Sequence, residues 1–159
     1  MFHNVAPYGD GVTEMVHDEE MNARVVQLIG EGSSLEMPCK SPLRYLVFHL
    51  KNLNKFICLE MLVKCSDGKK RKIICSNQQS ISRITKNGVS MPLELQSKGW
   101  NHLCLDLENI IATAFGVQYK SCFRVTIYST CRVWKCFFQD KKYCDVELPD
   151  HLRVSPKVE

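Results

Sequence analysis

Short apolar runs alternate with turn-forming residues along most of the chain, from residue 23 to residue 139. The runs are rich in β-branched and aromatic residues, which is typical of strands. An Asp-Gly pair at 67–68 and an Asn-Gly pair at 87–88 predict tight turns, because glycine accepts a positive φ without strain. The predicted strands cover residues 23–29, 43–50, 55–65, 70–76, 89–95, 100–107, 121–129 and 131–139.

The apolar period changes after residue 106, from two residues to about 3.6, and this predicts one α-helix over about residues 107–115. Asp106 stands at the N-cap position, where a side-chain oxygen can accept a free backbone N–H. Gly116 stands just beyond the predicted end, where helices commonly adopt a left-handed residue. The apolar stripe of this helix comprises Leu107, Ile110, Ile111, Ala114 and Phe115.

Many short strands and a single short helix predict a mainly β fold, an antiparallel β-sandwich or jelly-roll-like single domain. The length of 159 residues is typical of one domain. We expect a loose acidic N-terminal arm over residues 1–22, the sandwich domain over 23–150 and a C-terminal tail over 151–159. The first residues lack the basic region and apolar run of a signal peptide, and no apolar run is long enough for a membrane span.

Charge is unevenly distributed between the two ends of the chain. Residues 1–40 carry two basic and seven acidic side chains, whereas residues 41–159 carry 19 basic and 10 acidic ones. A basic folded body attracts polyanions, which include nucleic acid, anionic lipid and acidic protein surfaces. Aromatic residues do not interleave with the lysines as a single-strand nucleic-acid platform requires. An acidic protein surface is therefore the favoured partner, and nucleic acid is not expected.

No motif for catalysis or metal binding stands out. The nine cysteines lie mostly inside apolar runs, so we expect reduced thiols that pack as small hydrophobic residues. The five histidines show no metal-ligand spacing, and no glycine-rich phosphate loop occurs. We therefore predict no catalytic residue, no metal, no cofactor and no small-molecule substrate.

Clusters of basic residues at predicted turns are the candidate contacts with a partner. Such side chains are exposed at turns, although lysines near strand ends also protect sheet edges from aggregation, and the sequence leaves both interpretations open. The candidates are Lys51, Lys55, Lys69, Lys70, Arg71, Lys72, Arg83, Lys86, Lys141 and Lys142.

An ordered series of short motifs resembles the cilia- and flagella-associated protein 20 family. No single motif is specific, but their order over residues 43–150 is. The N-terminal part is shorter than in the family, which makes this a divergent member and puts one edge strand in doubt. The motifs are K-N-L-x-K-F at 51–56, S-N-Q-Q-S-x-x-R at 76–83, M-P-L-x-L at 91–95, G-W-N at 99–101, A-F-G-x-x-Y at 114–119, R-V-x-I at 124–127, C-R-V at 131–133 and E-L-P at 147–149.

The resemblance implies a non-enzymatic structural protein of the ciliary and flagellar axoneme. It implies a place at the inner junction of doublet microtubules, linking the B-tubule to the A-tubule and supporting cilium motility. The implied partners are α/β-tubulin and neighbouring junction proteins such as the Parkin co-regulated protein, and basal-body and nuclear pools are also implied. The alternative is a polyanion- or carbohydrate-binding β-sandwich, with Trp100 and Trp134 as candidates for stacking on a sugar.

Overall fold

The computed structural model describes residues 11–97 and 99–141, and these form a mainly β single domain with one short helix. The predicted fold class is thereby confirmed in its coarse form. The elements are β1 (Val12–Asp18), β2 (Ala23–Ile29), β3 (Ser34–Ser41), β4 (Tyr45–Cys65), β5 (Lys70–Ser76), β6 (Arg83–Thr85), β7 (Gly88–Pro92), β8 (Trp100–Asp106), α1 (Leu107–Phe115) and β9 (Tyr119–Gln139).

All strands of the described part join one sheet, in the order β1-β2-β9-β4-β5-β7-β6, with β3 added beside β9 and β8 beside β4. The two 21-residue strands β4 and β9 pair with each other along most of their length. Because β4 and β9 each pair with strands on both sides, they connect all strands of the described part into one hydrogen-bonded sheet.

One strand pair departs from the predicted antiparallel arrangement. β7 lies parallel to β5, while β6 pairs with β7 in an antiparallel hairpin. The chain passes β5, builds β6 at the outside and returns through a turn at 86–87 to place β7 between them. This return reverses the chain twice, which is why β5 and β7 run in the same direction and the sheet is mixed.

The predicted loose arm over residues 1–22 differs from the structure in its second half. Residues 12–18 form β1, which pairs with β2 along its whole length. Most of its side chains are exposed or half-buried, so the strand shows no regular apolar alternation in the sequence. Residues 1–10 and the predicted tail at 151–159 lie outside the described residues.

The helix has the predicted ends. The Asp106 side chain accepts a hydrogen bond from the backbone N–H of Asn109 at 3.1 Å. Gly116 adopts a left-handed conformation and donates its backbone N–H to Ala112 at 3.0 Å. Leu107 and Ile111 of this helix are buried in the hydrophobic core, so α1 covers one margin of the sheet as the apolar stripe predicts.

Residues 46–50 of β4 are buried on both faces of the sheet, whereas in its second half the core lies against one face and the opposite face is half-buried or exposed. From Ile57 to Cys65 the side chains of β4 alternate strictly between buried and more exposed positions. Residues that lie directly opposite each other on paired strands share a face. The register therefore defines an outer face, on which side chains are free to meet a partner.

Candidate partner-binding surface

Two of the ten predicted basic contacts are neutralised inside the domain. The Lys51 ammonium lies 3.1 Å from the Asp18 carboxylate and 2.7 Å from that of Glu20. The Arg71 guanidinium donates two hydrogen bonds to Asp67, at 3.0 and 2.8 Å, and lies 4.5 Å from the centre of the Phe115 ring. Both side chains serve the fold, and we leave them out of the proposed contact surface.

Asp18 is the centre of a buried polar network that fixes the β1–β2 end of the sheet. Its carboxylate accepts hydrogen bonds from Arg132 at 2.7 Å, from Lys51 at 3.1 Å and from the Trp100 indole N–H at 3.1 Å. The backbone N–H of Met21 donates a further bond at 2.9 Å. The network thus ties the β1–β2 turn to β4, β8 and β9.

The pKa of Asp18 follows from this network. Burial by itself raises the pKa of a carboxyl group. In Asp18 the hydrogen bonds from Arg132, Met21, Trp100 and Lys51 outweigh burial and hold the pKa well below its usual range. Asp18 is therefore a charged structural anchor, and its donors leave no room for a ligand.

The outer face carries a group of basic side chains around apolar ones. Lys64 of β4 lies directly opposite Lys70 of β5, and Leu62 lies opposite both Lys72 and Arg124 on its two neighbouring strands. The Lys70 ammonium lies 5.0 Å from the centre of the Phe123 ring. We name this group the basic face; it consists of Leu62, Lys64, Lys70, Lys72, Phe123 and Arg124.

Acidic neighbours balance only part of the basic face. Lys72 lies 3.3 Å from Glu60, and Arg124 lies 3.7 Å from Glu36. Within the described residues no carboxylate pairs with Lys64 or Lys70. Like charges directly opposite each other on paired strands destabilise a sheet. An acidic partner that lies over Lys64 and Lys70 would remove this repulsion.

The remaining candidates lie apart from the basic face or at its margin. Lys69 is exposed in the β4–β5 turn, and Arg83 and Lys86 are exposed on the β6–β7 hairpin. Lys55 lines a cleft with Gly30 and Thr130. Lys141 is exposed beyond the end of β9. Lys142 lies outside the described residues.

Sequence reasoning missed Lys64 and Arg124, because both lie within strands and the search was directed at turns. The charge pattern marked only part of the surface. Residues 68–93 contain six basic side chains and no acidic one, and this segment forms β5, β6 and β7, but it includes neither Lys64 nor Arg124. Asp18 was missed for a different reason: its three side-chain donors come from distant parts of the chain, and only the fold brings them together.

The two tryptophans of the alternative function are engaged within the domain. Trp100 donates to Asp18, and the Trp134 ring stacks on the His49 ring with their centres 5.5 Å apart. The orientation of Trp100 is thus fixed by its hydrogen bond and one face of the Trp134 ring is occupied, so the arrangement gives no support to carbohydrate binding.

Titratable groups elsewhere in the described residues form no metal site. One close pair of thiols, Cys39 and Cys122, has its Sγ atoms 4.0 Å apart, and the hydrogen bond with Cys122 lowers the pKa of Cys39. Within residues 11–97 and 99–141, no group of three His, Cys, Asp or Glu residues has metal-binding geometry. Every cysteine in the same residues is a free thiol. Burial raises the pKa of Cys75, Cys131 and Cys136 to about 12, which keeps these thiols protonated and unreactive at neutral pH. The helix of the described part is too short to cross a membrane.

Comparison with known proteins identifies the family. A family model described as the CFA20 domain matches residues 5–156. The chain belongs to the CFA20 domain family. It is 28% identical over 154 residues to the cilia- and flagella-associated protein 20 of Chlamydomonas reinhardtii, and this match covers 91% of the chain and 80% of that protein. The proteins of the same name from Caenorhabditis elegans and Paramecium tetraurelia are each 27% identical over 91% of this chain, and the matches cover 75% and 80% of those proteins.

The comparisons confirm the predicted family resemblance. Named relatives of the chain are cilia- and flagella-associated proteins, so the protein belongs to a family with a ciliary context. The resemblance extends over nearly the whole chain, which includes the basic face and the β6–β7 hairpin.

Proposed function

We propose that this protein is a non-enzymatic structural component of the ciliary or flagellar axoneme that binds α/β-tubulin through the basic face. The family membership supports the ciliary context. The observation that carries the tubulin contact is the opposed pair of Lys64 and Lys70, which no described acid balances. Complementary charge steers association and fixes which surfaces meet, and the surface of tubulin is acidic.

Within the axoneme we propose a place at the inner junction of doublet microtubules. There the domain would link the B-tubule to the A-tubule, contact neighbouring proteins such as one like the Parkin co-regulated protein, and support cilium motility. The compact core and the continuous sheet suit a rigid linker. Pools at the basal body and in the nucleus belong to the same proposal.

Several contacts must act together for such binding to be stable. An exposed ion pair contributes only about 0–1 kcal/mol. The basic face offers Lys64, Lys70, Lys72 and Arg124, with Leu62 and Phe123 available for apolar contact. A microtubule repeats the same acidic surface many times, and repeated attachment raises the overall affinity without any new contact.

Co-sedimentation with microtubules across a salt series tests the tubulin contact. The sharpest variant is the double substitution Lys64→Glu and Lys70→Glu. It replaces one like-charged pair by another, so the repulsion between the two strands is kept while the charge offered to a partner is reversed. We expect it to weaken binding by at least about tenfold, the loss of roughly two charge contacts. The matched control is Lys55→Glu with Lys141→Glu, which changes the net charge equally.

The outcomes separate the basic face from net charge. Equal loss in both double variants would mean that net charge, and not the basic face, drives the binding. Wild-type protein that stays in the supernatant at every salt concentration would contradict direct tubulin binding. Microtubules without their acidic tails show whether the tails are the partner of the basic face, and a tagged copy in ciliated cells tests the axonemal location.

A further inference from the structure

The β6 strand and the segment just before it expose apolar side chains where a sheet edge is normally protected. Ile81 and Ile84 are 60% and 58% exposed, the highest values among the large apolar residues of the described part. Edge strands usually carry charged side chains at such positions, since an apolar edge invites another chain to pair with it. An exposed apolar patch of this kind marks an interaction site.

Ile84 continues a row of the hydrophobic core into solvent. Met61, Ile73, Val89 and Ile84 lie opposite one another on four neighbouring strands. Their exposed fractions are 0%, 0%, 6% and 58% along this row. The row ends on β6 because β6 pairs with β7 alone among the strands that the structure describes. One more strand beside β6 would cover the open edge next to Ile84.

The charges around this edge define what could occupy it. Arg83 and Lys86 are exposed on the hairpin, and neither forms an ion pair within the described residues. The nearest acidic residues along the chain are Asp67 and Glu94, and Asp67 is already bound to Arg71. An incoming segment with acidic side chains therefore meets two unbalanced cations and no competing acid from this hairpin.

We propose that β6 is a docking edge for an extended acidic segment of a partner protein, which adds to the sheet as a strand. Successive side chains of a strand point to opposite faces. An apolar residue opposite Ile84 would extend the core row, and the residues before and after it would face the same side as Arg83. The segment that fits is one in which acidic and apolar residues alternate, and strand addition of this type is a common mode of peptide recognition.

This site is separate from the basic face and does not depend on the proposed tubulin contact. A partner bound along the edge leaves Lys64 and Lys70 uncovered, because these residues lie on β4 and β5, and β7 separates both strands from β6. The domain could therefore hold two partners at once, one on a face of the sheet and one at its edge.

A peptide titration of the purified protein tests the docking edge. The probe is a short fluorescein-labelled peptide in which glutamate and valine alternate. The comparison peptide has the same composition with all glutamates before the valines. We expect the alternating peptide to bind at least about tenfold more tightly by fluorescence anisotropy, and to slow amide exchange in β6.

Three variants decide whether the edge carries the binding. Ile84→Thr keeps a β-branched residue in an exposed strand position, and Arg83→Glu reverses one of the proposed contacts; we expect each to weaken binding about tenfold. Ile29→Thr is the matched control, because Ile29 is 44% exposed at the opposite end of the sheet. Equal binding of both peptides, no binding of either, or the same loss in Ile29→Thr would overturn the proposal, and microtubule binding of Ile84→Thr should stay unchanged.

Discussion

Replacement of Asp18 by asparagine should destabilise the domain strongly. The side chain is completely buried, and its carboxylate accepts four hydrogen bonds, two of them from cationic groups. Asparagine has nearly the same shape, but it removes the negative charge and places an N–H₂ donor among donors. Arg132 and Lys51 then lose their shared counter-charge inside the fold.

The expected loss of unfolding free energy depends on the contacts that Lys51 and Arg132 retain in the Asp18→Asn variant. Removal of one member of a buried ion pair costs about 3–5 kcal/mol, because the other charge stays uncompensated. Lys51 retains Glu20 at 2.7 Å, and Arg132 retains the Gln27 side chain at 2.7 Å. These contacts reduce the penalty, so we expect a loss of about 3 kcal/mol, which lowers Tm by roughly 6–12 °C for a domain of this size.

Urea unfolding followed by circular dichroism measures this loss, with Glu20→Gln as the matched control. Glu20 contacts the same lysine but its side chain is 58% exposed, and an exposed ion pair is worth only about 0–1 kcal/mol. Similar, small losses in both variants would refute the reasoning, since they would show that the Asp18 charge is not held by its buried partners.

Two further predictions concern acid stability and the β5–β7 pairing. The folded pKa of Asp18 lies below its unfolded value of about 3.9, so its contribution is present above that pH and is lost as the pH falls through the folded pKa. The difference in unfolding free energy between wild type and Asp18→Asn should therefore be constant from neutral pH to about pH 5 and shrink below about pH 4; a constant difference down to pH 2 would contradict it. Gly88→Ala should cost about 1–3 kcal/mol in urea unfolding, because a Cβ at this position would overlap the backbone carbonyl of Lys72. A cost below about 0.5 kcal/mol, which is typical of an ordinary surface substitution, would contradict this contact.

Local patterns were sufficient for the helix and for most strands. Asp106 and Gly116 marked the two ends of α1 because capping depends on residues adjacent in sequence. β1 was not predictable in the same way. Its side chains are mostly exposed at an edge, so no alternation of apolar residues was required, and its strand conformation depends on pairing with β2.

The arrangement of the sheet was predictable only in part. Two 21-residue strands that serve the whole sheet look in the sequence like shorter strands joined by turns, since polar residues interrupt β4 at Asn52 and Asn54. One of the four register shifts in the β4–β9 pairing falls at this interruption. The parallel contact of β7 with β5 could not be inferred either, because an Asn-Gly turn predicts a hairpin and says nothing of which strand lies beside it.

The same limits explain why the candidate contacts had to be sorted by the structure. In the sequence Arg71 and Lys72 are equivalent members of one basic run. Strand alternation turns Arg71 inward, where Asp67 and Phe115 hold it, and turns Lys72 outward onto the basic face. Lys51 is likewise withdrawn by Asp18, whereas Lys64, inside an apolar run, becomes available opposite Lys70. Net charge alone therefore overstates the surface available to a partner, and the charges that remain unbalanced after folding indicate where we expect an acidic partner to bind.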